Sequence, residues 1–119
     1  MNIDSREKSD ERLKPDPAGP MVPLDYQATL SPRKYRRLCS RRWMEMWDIY
    51  EKDNTVFFYR IGRGQVVFTV TFENTQGFWT VQQAQVVDWF IRRNSAAVAV
   101  ENLDNLIRGV VAVGFNRWN

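Results

Sequence analysis

FWTVQQAQVVDWFIRR, residues 78–93, sets the fold expected of this chain, because here the pattern passes from strand to helix. Phe78 and Trp79 extend a third strand. Thr80-Val81-Gln82-Gln83 then fits a capping box, in which the threonine hydroxyl and the glutamine side chain satisfy backbone donors of a first helical turn. From Val81 the apolar positions Ala84, Val87 and Ile91 share a face, which predicts a helix through about Arg93. Trp89 falls off that face, toward Gln82 and Arg93. Exposed tryptophan is favoured at contact surfaces, so Trp89 and Arg93, with Trp47, are candidate oligomer or partner contacts. Burial of Trp89 under a loop is the plain alternative.

Upstream, 56–61 and 65–72 are rich in β-branched and aromatic residues. The second run alternates, with Val66, Phe68, Val70 and Phe72 on one side and Thr69 and Thr71 on the other. Gly62-Arg63-Gly64 between them suits a hairpin loop, because glycine takes positive φ readily. Downstream, NSAAVAVEN breaks the helix and has room for a short strand, after which Leu103, Leu106, Ile107 and Val110 recur at helical spacing.

The stretch SPRKYRRLCSRRW, 31–43, packs six bases into positions 33–42. Ser31-Pro32 is an N-cap followed by proline in the first helical position, and helical spacing of apolar residues continues to Tyr50. A basic amphipathic helix over 32–50 is expected, with Tyr35, Cys39, Trp43, Met46 and Tyr50 on one face. Arg33, Arg37 and Arg41 form the opposite ridge, flanked by Lys34. The charge is local: residues 1–30 carry four bases and six acids, 31–52 seven and three, and 53–119 six and five, within an overall +3. Bases in the first half of a helix, with Glu45, Asp48 and Glu51 in the second, oppose the helix dipole. That inversion suggests a stripe kept for an acidic partner, against the bland reading of a solvated face. Arg33, Lys34, Arg36, Arg37, Arg41, Arg42 and Trp43 are the candidate partner-binding or nucleic-acid-binding residues.

At 119 residues the chain has room for one core, with five Trp, four Tyr and seven Phe to fill it. The charged, proline-bearing residues 1–30 read as a flexible tail and 31–119 as a single domain. The fold class is α+β: a basic N-terminal helix, a small antiparallel sheet of a hairpin plus one or two strands, and one or two C-terminal helices packed on it. One Cys and no His exclude a disulfide framework and the usual zinc sets, and suggest a reducing compartment. No apolar run suits a signal peptide or a membrane span. Without histidine, nucleophile elbow or phosphate loop, an enzyme is not expected, and neither is a cofactor. Cys39 has Arg36, Arg41 and Arg42 nearby, yet its apolar helix face favours a buried, inert thiol.

MWDIYEKDNTVFFYRI, 46–61, resembles the N-terminal part of geminivirus replication-enhancer proteins: a Trp-acidic-Ile triplet leads into Asn and an aromatic run ending in basic-Ile. Trp47, Asp48, Ile49, Asn54, Phe57, Phe58, Arg60 and Ile61 carry the match. TQGFWTVQQAQVVDWFIRRN is similar to that family's Gly-led strand and helix, and VAVENLDNLIRGV to its closing helix, so the resemblance covers about residues 46–112. The family's middle section is longer than this chain between Ile61 and Gln65, and the basic helix has no clear counterpart in it. The resemblance implies a non-enzymatic, self-associating, at least partly nuclear viral protein that raises DNA accumulation through the replication initiator and host replication proteins. From the residues alone two further readings stand: a nucleic-acid-binding protein with Arg33, Lys34, Arg37 and Arg41 on phosphate, and a peripheral membrane or matrix-like protein using helix 32–50.

Overall fold

A two-residue period governs more of this chain than the helical one does. The computed structural model describes residues 19–40, 43–44, 46–61 and 65–117, with side chains excepted at 43–44 and 113–117. Its elements are β1 (Met21–Pro23), β2 (Thr29–Leu30), α1 (Pro32–Ser40), β3 (Trp43–Met44), β4 (Trp47–Lys52), β5 (Thr55–Arg60), β6 (Gln65–Thr75), β7 (Phe78–Val87), α2 (Asp88–Arg93) and α3 (Ala96–Arg117). The strands form one antiparallel sheet in the order β1-β7-β6-β5-β4-β3, with β2 beside β1 on the same edge of β7.

Tight turns join its central strands. Lys52 pairs with Thr55 across Asp53 and Asn54, which both take positive φ (53° and 66°). Thr75 pairs with Phe78 across Gln76 and Gly77, again with positive φ (54° and 91°). Two successive left-handed residues give the turn whose twist matches that of paired strands, and Asn, Asp and Gly enter that region at least cost. The Asn74 side chain accepts the Gly77 N–H at 3.2 Å and holds the second turn closed.

Alternation builds the inward face in cross-strand rows. Ile49, Phe58, Phe68 and Val86 form one row and Val56, Val70 and Ala84 the next, all buried. Two bulges bend the sheet: Val67 is the extra residue opposite Phe58 and Tyr59, and Gln82 is extra where Thr71 faces Gln83 but Phe72 faces Val81. The helices cover this face. α3 presents Ala99, Leu103, Ile107, Val110 and Val111 as one buried stripe, and α1 packs against it and against β2, β4 and β7 through Tyr35 and Leu38. Ser95 starts α3 by accepting the Val98 N–H on its hydroxyl at 3.2 Å.

This architecture overturns the expected one. In place of a small sheet beneath a long basic helix there is a broad antiparallel sheet, and the basic helix stops at Ser40, with 47–52 in strand β4. Residues 78–87 are strand, and only 88–93 are helical. No short strand interrupts 96–102, which is already helix. The sheet also begins before residue 31, since β1 and β2 pair with β7 and Leu24, Tyr26 and Leu30 are buried. β5 and β6 are the two arms of the expected hairpin. The expected tail over 1–18, Arg41, Arg42 and the loop 62–64 lie outside the described residues.

Candidate functional site

The short basic helix owes its orientation to its apolar side. Ser31 caps it, its hydroxyl accepting the Lys34 N–H at 3.3 Å and its carbonyl the Tyr35 N–H at 2.9 Å. Tyr35 stacks on Trp79, with ring centroids 4.0 Å apart and planes 9° from parallel, and meets Phe72 edge-on at 5.2 Å. Its hydroxyl donates to Asn54 Oδ1 at 3.3 Å, and Leu38 is fully buried one turn on. With that side fixed, the helical period turns Arg33, Lys34 and Arg36 to solvent. Among the described residues no carboxylate pairs with these three.

Arg37 behaves differently. It is half-buried, and its Nη1 donates a long hydrogen bond of 3.5 Å to the Val111 carbonyl oxygen, which ties α1 to the C-terminal half of α3. Between the two helices runs an open groove of about 640 Å³ with Arg33, Lys34, Arg37 and Arg108 around it and Val111 and Ala112 in its wall. A smaller recess of about 210 Å³ adjoins it, where Asp104 joins Lys34, Arg108 and Tyr26. Asp104 accepts Arg108 Nε at 2.7 Å and the Tyr26 hydroxyl at 2.9 Å, so Arg108 is held at the groove's edge. That ion pair strengthens the guanidinium's hold on its proton, while burial first, and then Asp104, push the Tyr26 hydroxyl well above the ordinary tyrosine range.

Helix α1 places its bases differently with respect to the helix dipole than a helix over 32–50 would. Asp48 and Glu51 belong to β4, so no acidic half of a helix balances the bases, and Arg37 in the last turn is favoured by the dipole. Arg33 and Lys34, in the first turn with no acidic companion, still oppose it.

Of the residues singled out in the sequence, the fold gathers Arg33, Lys34 and Arg37 at the groove, while Arg36 is exposed outside its lining. Trp43 lies on β3, its backbone paired with Asp48, and not on the helix. Trp47 faces Arg60 across β4 and β5, with the guanidinium 5.4 Å from its ring, and packs on Phe68. Trp89 and Arg93 sit on α2. Trp89 is half-buried against Phe90, and the Arg93 guanidinium is 5.9 Å from its ring. The fold separates these two from the groove residues into another element. Cys39 is half-buried, and desolvation pushes its thiol up to about 11, the opposite of what a nucleophile needs.

Sequence reasoning missed Arg108, Asp104 and Tyr26. An Asp and an Arg four apart on a helix are a readable pair, and that spacing was the available signal. Among the described residues no group of three Cys, Asp or Glu side chains is placed to hold a metal ion, and no helix is long and apolar enough to cross a membrane.

No family model matches the chain, and neither curated proteins nor solved structures include a significant match to it.

Proposed function

We propose that this chain is a non-enzymatic accessory protein of viral DNA replication that acts in the host nucleus through protein contacts, by self-association and by binding a replication initiator and host replication proteins. The observation that carries the reading is the exposed trio Arg33, Lys34 and Arg36, free of carboxylate partners among the described residues, on a helix anchored from behind by Tyr35 and Leu38. A surface of this kind suits an acidic counterpart. The resemblance to geminivirus replication enhancers supplies the rest. Its matched residues fall on one hairpin, where Trp47 pairs with Arg60, Ile49 with Phe58, and Asn54 occupies the turn. Such positions serve the hairpin itself, so the functional part rests on the order of the motifs.

The test is co-expression with a cognate replication initiator and a small circular replicon. Wild type is expected to raise replicon DNA, and the Arg33→Glu/Lys34→Glu/Arg36→Glu variant to lose most of that gain while remaining folded by circular dichroism. A wild-type chain without effect on accumulation overturns the reading. Light scattering after size exclusion reads self-association, and monomers alone would contradict that part.

The same exposed bases favour a second reading, direct nucleic-acid binding. It requires affinity for DNA that falls steeply with salt. The membrane reading called for the apolar face of a helix over 32–50, and in α1 the apolar Tyr35 and Leu38 are buried in the core.

A further inference from the structure

We infer that the groove between α1 and α3 receives an acidic peptide segment of a protein partner, its carboxylates held by Arg33, Lys34 and Arg108 and a small apolar side chain seated against Val111 and Ala112. The inference rests on the partner-binding reading above and names the chemistry of the partner. Charge complementarity is the first argument. Among the described residues four cations surround the groove, and Asp104, in the adjoining recess, is engaged by Arg108 and Tyr26. Arg37 bridges to the Val111 carbonyl, so the cation-lined wall behind the ligand is also braced.

Shape is the second argument. An open groove of about 640 Å³ is of the size that holds a few side chains. Its wall is mixed, with guanidinium forks that fit carboxylates in bidentate fashion and apolar Val111 and Ala112 between them. Nucleic acid fits less well. Sequence-tolerant strand binding relies on aromatic faces beside the cations, and the aromatic ring of α1, Tyr35, is buried and stacked on Trp79. Among the described residues no aromatic side chain lines this groove.

The decisive experiment is fluorescence anisotropy on the full chain with a labelled peptide of alternating Glu and Asp around a central Ala-Leu pair. Controls are the same peptide with Gln and Asn in place of the acids and a single-stranded oligonucleotide of matching length. The acidic peptide is expected to bind at least about tenfold more tightly than its amide control, and Arg33→Glu/Lys34→Glu to weaken it by about tenfold. Arg108→Gln, on the opposite wall, should weaken it as well. The double reversal puts acids where the helix dipole favours them, so α1 is not undermined by the change. Equal binding of the amide control, an unaffected double variant, or tighter binding of the oligonucleotide overturns the inference, the last in favour of nucleic acid. If the peptide fails while the chain still raises replicon accumulation, the groove inference falls alone; if accumulation is also absent, the functional reading falls with it.

Discussion

Tyr26 and Asp104, 78 residues apart in sequence, are joined by a 2.9 Å hydrogen bond from the phenol to Oδ1, while Oδ2 of the same carboxylate holds Arg108 at 2.7 Å. The contact fastens the segment between β1 and β2 to α3 and fixes one wall of the groove. Tyr26 is 4% exposed, so removing its acceptor strands a buried hydroxyl. Asp104→Ala is expected to cost about 1–3 kcal/mol and Tyr26→Phe about 1 kcal/mol in urea unfolding. The double variant should lose less than the sum, and strict additivity would deny the coupling.

Asn54 serves the fold in two ways, by its left-handed backbone at φ 66° and by accepting the Tyr35 hydroxyl. Asn54→Ala forfeits both and is expected to destabilise by about 1–3 kcal/mol. Asn54→Gly keeps the turn and should lose only the hydrogen bond. Thermal melts of the two variants check the order, and an alanine variant as stable as the glycine one would refute it.

Alkaline pH should weaken the fold. Burial raises the Cys39 thiol from 9.0 to about 11, so the folded chain keeps a proton that the unfolded chain releases. The stability this contributes is complete below pH 9 and is lost as pH rises toward 11. Tyr26 and Tyr35, also raised by burial, add a further loss beginning near their ordinary value of 10.0. Cys39→Ala should therefore lose less stability than wild type between pH 9 and 11, read as melting temperature against pH. Parallel curves would contradict the assignment.

Leu38 is the buried anchor behind the basic stripe. Leu38→Ala is expected to cost about 2–5 kcal/mol, whereas Arg33→Ala on the exposed side of the same helix should change stability by no more than about 0.5 kcal/mol. Denaturant midpoints separate the two, and equal effects would mean that the helix is not anchored as described.

The β5–β6 arms were legible because Phe68, Val70 and Phe72 alternate plainly, but Val66, expected on their side, is turned by the bulge at Val67 to pack with Tyr59 in a separate cluster. β7 was not legible, and its own bulge gives the reason. Gln82 is inserted between Val81 and Ala84, so inward residues that would sit two apart sit three apart, and the strand imitates a helical face. The Thr80–Gln83 spacing completes the imitation. Instead of capping a helix, Thr80 sits in the ladder opposite Glu73, its hydroxyl donating to the Glu73 carbonyl. The end of α1 was hidden in a similar way. Trp43, Met46 and Tyr50 continue the spacing of Tyr35 and Cys39, and only pairing with β5 reveals that Trp47 and Ile49 alternate as a strand. For the candidate site, Arg33, Lys34 and Arg37 were visible as a charge run. Arg108 entered only through tertiary packing, because nothing local to α3 says that its C-terminal half lies beside α1.

Backbone amide NMR during titration of the full chain with the acidic peptide tests the central claim most directly. The account predicts shifts that saturate together and cluster at 31–37 on α1 and 108–112 on α3, facing each other across the groove. Shifts confined to the sheet strands, or none at peptide excess in low salt, would contradict it.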